Sequence, residues 1–591
     1  MKRFNLAVLC AAATVAALAL THAVLAQAQQ AQKAAGDLAL LIQSGKTKLA
    51  LEQIQAGADV NRAQPDGTSP LIWAVDRTEY DIVAALIAKK ANVNAVNEFG
   101  VSPLTVAARQ SNARLVKMLL DAGAKVDSAN PDGETALMMA ISGGDVSVVQ
   151  LLVNAGANVN TIEEFHRQTP LMYAAASDRN AGPMVKLLLS KGADVKPRAL
   201  YTDWPSQVTS EPRTQYRSVG GLNALLYAAR SGCYQCVEDL IAAGADVNLP
   251  TPEGVTPLMI ALDNENNGVA KLLMDKGADL NVWDWWGRTA LWIAVDRKSS
   301  PGGGGGFSGF AGGGGGRGGG GRGGRGGPAP VAAPAGPVVS SMDIINAQLS
   351  AGVDPNPEMN FHRPNAPSRG RFGDNQISTG TTPLFRAVQN NDVEVIQVLL
   401  AKGADPNINT MGYTAFLLAA GAGPTGRGAA TQVNMQILDL MTQHSADVNA
   451  KVTGTQTYSF NVSRAPSNNE GTSALHEAAR AARTDLVKYL LDHGANPSLL
   501  DSDGKKPIDV VGVARAGRGG GAPPVAAAAG QAPAQGQAQG QAKGNPPAPP
   551  AVAGAAPGRG AAPGGGAGRG GANSAAVAEI RAMLEAAAAK K

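Results

Sequence analysis

The stretch Pro131-Asp132-Gly133-Glu134-Thr135-Ala136-Leu137-Met138-Met139-Ala140, completed by Gly156-Ala157-Asn158-Val159-Asn160, decides the reading of this chain, because it recurs. Its first half returns as Ser69-Pro70-Leu71 with Ala74, Ser102-Pro103-Leu104 with Ala107, Thr169-Pro170-Leu171 with Ala174 and Thr256-Pro257-Leu258 with Ala261. Ala74, Ala107 and Ala140 stand 33 residues apart, as do Ala228, Ala261 and Ala294. A fixed period of that size marks a repeat array whose units bury their apolar faces against one another.

Each unit can be built physically. Thr or Ser followed by Pro suits a helix start, since the hydroxyl satisfies orphan N–H groups and Pro tolerates the first turn. Apolar residues follow at helical spacing until a polar turn such as Ser142-Gly143-Gly144-Asp145. A second apolar stripe, Val146, Val149, Leu151, Leu152 and Val153, predicts a second helix, which Gly156 closes in the left-handed conformation. Asn160 to the next Thr is polar and turn-like, as in Pro131-Asp132-Gly133. The unit is turn, helix, turn, helix.

This pattern resembles the ankyrin repeat, whose signature runs Asp-Gly-x-Thr-Pro-Leu-His-x-Ala-Ala and, after a second helix, Gly-Ala-Asp-Val-Asn. Pro131 to Asn160 follows that template, as does Gly471 to Pro497, where His476 fills the histidine position. The resemblance implies an all-α solenoid of about twelve helix-turn-helix units with projecting hairpin loops. It implies a non-enzymatic fold that mostly binds other proteins, and a hydrogen-bonding role for His476 in bracing its turn. Exported bacterial proteins of this kind resemble scaffolds or chaperone-like accessories to other exported proteins, some of them redox enzymes.

A targeting segment precedes the repeats. Lys2 and Arg3 lead an apolar run from Leu6 to Leu20, and Val24-Leu25-Ala26 ends in small residues, which predicts a secretory signal cleaved after Ala26. The run is too short and Ala-rich for a membrane span, and Leu9 before Cys10 argues against a lipoprotein. The expected destination is a bacterial periplasm, or the cell surface or exterior. Cleavage lowers the formal net charge from +4 to +2, which argues against a nucleic-acid or anionic-membrane binder. It leaves Cys233 and Cys236, in Cys233-Tyr234-Gln235-Cys236, at the start of a second helix. A disulfide fits an oxidising compartment. Thioredoxin-like chemistry wants a βαβ context that is absent, and c-type haem attachment needs His where Val237 stands.

Two low-complexity tracts interrupt the array, and neither composition can bury a core, so both are expected to be disordered. Each lies within a repeat, between its first and second helix. The chain therefore divides into a signal segment (1–26), repeats (27–296), a Gly-rich insert (297–340), further repeats (341–513), a Gly/Ala/Pro/Gln-rich insert (514–573) and a closing helix (574–591). Arg317, Arg322 and Arg325 among the glycines resemble RNA-binding segments, but a linker is the favoured reading in an exported chain. Gly45-Lys46-Thr47 lacks the first glycine of a phosphate loop, its place being taken by Leu40.

Three further insertions, 197–219, 357–379 and 451–470, fall where the repeat carries its hairpin. They hold Tyr201, Trp204, Tyr216, Phe361, Phe372, Tyr458 and Phe460, together with arginines such as Arg198. One hairpin of ordinary length reads Asn281-Val282-Trp283-Asp284-Trp285-Trp286-Gly287-Arg288-Thr289, with tryptophan at all its variable, tip-facing positions. Aromatics with arginine are the composition of interface hot spots. The alternative is that they pin the long loops onto the array, and that the tryptophans pack under the neighbouring insertions. Trp73 and Trp292 lie within first helices and are expected to pack between repeats.

No catalytic, metal or cofactor constellation survives inspection. His166, His362, His444, His476 and His493 are scattered without ligand spacing, and the acidic residues belong to recurring turn and cap elements. The expected function is a monomeric scaffold that binds a protein through its concave face and hairpin row. The contact residues would be Trp283, Trp285, Trp286, Arg288 and the seven insertion aromatics. The alternatives are a small-molecule or cell-wall ligand on the tryptophan cluster, and a cell-envelope spacer.

Overall fold

A computed structural model describes residues 37–202, 219–299, 336–359, 380–410, 412–423, 433–453, 470–513 and 574–590. The signal segment and most of both low-complexity tracts lie outside them. The chain divides into two compact parts. The first has Asp37–Ala419 and Gly423–Asp447 as its described residues; the second has Ala420–Ala422 and the described residues from Val448 on.

The helices form where capping and apolar spacing coincide. Ser69, Ser102, Thr135, Thr169, Thr256 and Thr382 each cap a first helix by accepting from the backbone N–H three residues on, and Pro occupies the next position in five of the six. These helices are short, as in Pro103–Arg109, and they pack against first helices on both sides, with Leu104 and Ala107 buried. The second helices, such as Ala113–Asp121, bury only one face. The first part contains ten such pairs, from Leu38–Gln43 with Thr47–Gln55 to Ala415–Ala419 with Met435–Gln443. Among them, Ala290–Ser299 packs against Ser341–Ser350 across the Gly-rich tract. The second part holds Ala474–Arg480 with Thr484–Asp492, then a 3-10 turn, Pro507–Val510, that packs with Ser574–Ala589. The expected all-α array of twelve units stands, with one addition: Tyr201–Thr202 pairs antiparallel with Val219–Gly220.

Second helices close on a left-handed residue. It is glycine at Gly57, Gly123 and Gly156, with φ of 88°, 88° and 90°, but lysine at Lys90, with φ of 63°. An asparagine after this closure links most repeats to the next, with Asp127 and Lys196 in its place at two junctions. In the first part the side-chain amides of Asn61, Asn94, Asn160, Asn248, Asn356 and Asn407 donate to the carbonyls of Lys90, Gly123, Gly192, Gly277, Gly403 and Ser445, at 3.0–3.4 Å. Their Oδ1 atoms accept from the backbone N–H two residues further on, for example from Lys125 and Asp194. In the second part Asn449 makes the same link to Gly494.

The three long insertions leave and rejoin the array in one way. Ala199, Met359 and Val452 donate their N–H to the carbonyls of Leu222, Thr381 and Thr472 at 2.9, 3.2 and 2.9 Å, and all three side chains are buried. Arg198 works at the first of these necks, where its Nε donates to the Gly221 carbonyl at 2.8 Å.

Candidate functional site

The hairpins share one frame. Asn97 Oδ1 accepts from the N–H groups of Phe99 (3.1 Å) and Val101 (2.9 Å), and Asn130 does the same for Asp132 and Glu134. Glu163, a longer carboxylate but fully buried, accepts from Phe165 (2.7 Å) and Gln168 (2.8 Å). Asp284 accepts from Trp286 (3.0 Å) and Arg288 (2.9 Å). Neighbouring hairpins are joined by backbone, with Glu98 N–H on the Asp66 carbonyl, Glu164 on Asp132 and Trp285 on Glu253 at 2.8–3.0 Å.

This frame projects apolar side chains into solvent. Among the described residues of the first part, eleven large apolar residues are exposed, and eight of them are on hairpins: Val96, Phe99, Ile162, Phe165, Leu200, Tyr201, Trp283 and Trp285. Phe99 is 63 % exposed and Phe165 66 %, where a folded monomer would otherwise favour a polar residue. Sequence reasoning missed Val96, Phe99, Ile162 and Phe165. The signal was available in the register, since Phe99 and Phe165 hold the tip position that Asp66 and Asp132 hold elsewhere.

The tryptophan hairpin requires a correction. Trp283 is 63 % exposed and Trp285 37 %, but Trp286 and Arg288 are fully buried and cannot meet a partner. Arg288 draws the hairpin inward. Its Nε donates to Asp284 Oδ2 at 2.7 Å, its Nη1 to Asp263 at 3.1 Å, and its guanidinium lies 5.3 Å from the Trp286 ring. Arg297 donates to Asp263 at 3.0 Å, and nearby Arg386 donates to Asp296 at 2.6 Å, so three arginines balance three aspartates inside the array. Burial alone would lower the Arg288 pKa, but Asp263 and Asp284 outweigh it and hold the guanidinium charged. Burial also pushes the Asp284 carboxyl up against the pull of Arg288. Its two backbone donors and the Arg288 Nε nonetheless serve the ionised form, which is the direction the geometry supports.

The remaining expected positions distribute as follows. Tyr201 is half-exposed at its insertion's neck. Trp204, Tyr216, Phe361, Phe372, Tyr458 and Phe460 lie outside the described residues. Trp292 is fully buried, its Nε1 donating to the Thr381 carbonyl at 3.0 Å, and Trp73 donates to Gln64 at 2.9 Å. Cys233 caps the helix Tyr234–Ala242 and is joined to Cys236 as a disulfide, with Cα atoms 5.2 Å apart, within the usual span. Among the described residues no cluster of three or more His, Cys, Asp or Glu side chains could hold a metal, and no helix is long and apolar enough to cross a membrane.

The chain is similar to known proteins along most of the array. The family described as "Ankyrin repeats (3 copies)" matches residues 38–130, 116–199, 221–301 and 343–452, and "Ankyrin repeat" matches 470–502. Alpha-latrocrustotoxin-Lt1a of Latrodectus tredecimguttatus is 31 % identical over 132 residues, which is 22 % of this chain and 8 % of the toxin. Mitochondrial disaggregase of Homo sapiens is 31 % identical over 195 residues, 32 % of this chain and 23 % of that protein. The B-cell lymphoma 3 protein homolog of Mus musculus is 29 % identical over 154 residues, 23 % of this chain and 34 % of that protein. The chain thus spans 8–34 % of the length of these relatives, whose likeness is to a shared repeat. With family matches over well more than half of its length and a helix pair at each match, the chain belongs to the ankyrin-repeat family.

Proposed function

We propose that this chain is a non-enzymatic scaffold that binds a protein partner outside the cytoplasm, with the hairpin row of its first part as the contact surface. The observation that carries the reading is the concentration of exposed large apolar side chains on the hairpins, eight of eleven, against two on helices, Leu40 and Leu49. Apolar and aromatic groups held on a rigid frame lose little entropy on binding and supply most interface energy. Two features support an extracytoplasmic site: the charged and apolar segment at 2–20 ending in Val24-Leu25-Ala26, and the paired Cys233 and Cys236.

Photo-crosslinking tests the contact surface. A benzophenone side chain is placed in the full chain at Phe99, at Phe165 or, as a control, at Lys117, an exposed position on the helix Ala113–Asp121. Irradiation in the native cell envelope is expected to give discrete protein adducts from the two hairpin positions. Equal adducts from Lys117 would overturn the assignment. N-terminal sequencing of the exported protein checks location separately: the expected start is Gln27, and an intact Met1 overturns it.

A further inference from the structure

At two junctions of the first part Asp127 and Lys196 replace the linking asparagine, and at a third the asparagine is present but its link is skipped. Asn281 holds the position of Asn248 and Asn356, yet among the described residues its side-chain amide donates to no carbonyl of the following repeat. Where the link would reach Gly352, a groove of about 440 Å³ opens instead. Its walls include Asn281, Trp283, Thr289, Asp354, Pro357 and Glu358. That volume is within the range of small ligand sites.

We propose that this groove receives a basic side chain, arginine or lysine, from an extended segment of the protein partner. The proposal rests on the scaffold reading and adds the chemistry of what is recognised. The ionisable side chains of the groove are two carboxylates, Asp354 and Glu358, both exposed, and neither forms an ion pair among the described residues. The same groove is lined by Trp283, which is 63 % exposed. An aromatic face flanked by carboxylates attracts a cation through both the ring quadrupole and Coulomb interaction, whereas a neutral group uses the ring alone. The Pro357 and Val353 side chains offer an apolar wall for the methylene stem. The interior of the same repeat already uses this chemistry, since Arg288 lies against Trp286 between Asp263 and Asp284. The groove presents the same set, one tryptophan and two carboxylates, on the surface and without the arginine.

The test uses the full chain with 15N-labelled tryptophan, titrated with N-acetylarginine amide and with its neutral isostere, N-acetylcitrulline amide. The Trp283 indole resonance, assigned with Trp283→Phe, is expected to shift saturably with the arginine compound and at least five-fold more weakly with the citrulline compound. Asp354→Asn with Glu358→Gln should weaken arginine binding about tenfold, because each exposed charge contributes modestly. An unchanged affinity in the double variant, or equal binding of citrulline, overturns the proposal. So does a chito-oligosaccharide that shifts Trp283 equally in wild type and double variant, which would assign the groove to sugar. Hairpin crosslinks without arginine binding refute the groove claim alone. Arginine binding without adducts at Phe99 or Phe165 refutes the scaffold reading and leaves a cation site without its protein.

Discussion

Removing Arg288 should destabilise the middle of the array far more than any exposed substitution. The guanidinium is 1 % exposed and neutralises two carboxylates, Asp284 at 2.7 Å and Asp263 at 3.1 Å, both nearly excluded from water. Breaking a buried pair by removing one partner costs about 3–5 kcal/mol, because the remaining charge stays desolvated. In Arg288→Met, Asp263 keeps Arg297 at 3.0 Å, while Asp284 keeps only the backbone N–H groups at positions 286 and 288. The expected cost is therefore toward the lower end, about 3 kcal/mol. Adding Asp284→Asn restores charge balance, and the amide oxygen can still accept both N–H groups, so about 2 kcal/mol should return as coupling between the two sites. Four of the six tryptophans, Trp283, Trp285, Trp286 and Trp292, lie in this repeat, so fluorescence-monitored urea denaturation reads its unfolding selectively. Because repeat arrays unfold by nearest-neighbour units, the variant should show an early transition in fluorescence ahead of the bulk helical signal. A cost under about 1 kcal/mol for Arg288→Met, or a double variant no more stable than the single, would refute the balanced-network argument.

Two further outcomes follow from other parts of the chain. In the second part His476 is held neutral: Ser473 N–H donates to Nδ1 at 3.2 Å, and Nε2 meets the Lys505 carbonyl at 3.1 Å. Burial keeps its pKa below the ordinary 6.5, so its contribution is full above pH 6.5 and is lost as pH falls from there through the depressed value. Urea midpoints at pH 7.5 and 5.5 should fall more for wild type than for His476→Gln, and equal falls would sink the claim. In the first part, Lys90→Gly should raise stability by about 0.5–1 kcal/mol, since Lys90 holds a left-handed φ of 63° where Gly57 and Gly123 sit without strain. A Tm unchanged or lowered by that substitution is the contrary result.

The fold was legible because its information is local and repeated. Capping hydroxyls at Ser69, Ser102 and Thr135 and closures at Gly57, Gly123 and Gly156 each specify their own few residues, and the 33-residue period multiplies the signal. The site was legible only in part. Trp286 occupies the tip position that Asp66 and Asp132 give to solvent, so register alone places it outside. What turns it inward is the demand of Arg288 for a carboxylate 25 residues earlier, Asp263. At the corresponding place other repeats carry Thr68, Val101 or Glu134, so no repeated pattern announces the arginine. The skipped Asn281 link was equally invisible, because the residue type there is the usual one and only its geometry differs.

The contrast between Phe99 and Trp286 shows how one frame yields both surface and core. At both hairpins the residue before glycine has its N–H held by an Asx oxygen, Asn97 at 3.1 Å and Asp284 at 3.0 Å, and Gly100 and Gly287 turn at φ of 71° and 76°. The backbone is thus fixed without help from the tip side chain, which leaves that side chain to respond to what stands beside it. Next to Val101, which makes no ionic demand, the phenyl of Phe99 remains in water. Next to Arg288, the indole of Trp286 becomes part of the wall that excludes water from the Asp284 and Asp263 pairs, and desolvation strengthens those pairs in turn. Exchanging the exit residues tests this directly. Arg288→Val should expose Trp286, seen as a red shift in its emission and access to iodide, while Val101→Arg should leave Phe99 exposed, because its own frame residue is the neutral Asn97. If Trp286 stays protected after Arg288→Val, packing alone buries it, and the ion pairs are its consequence.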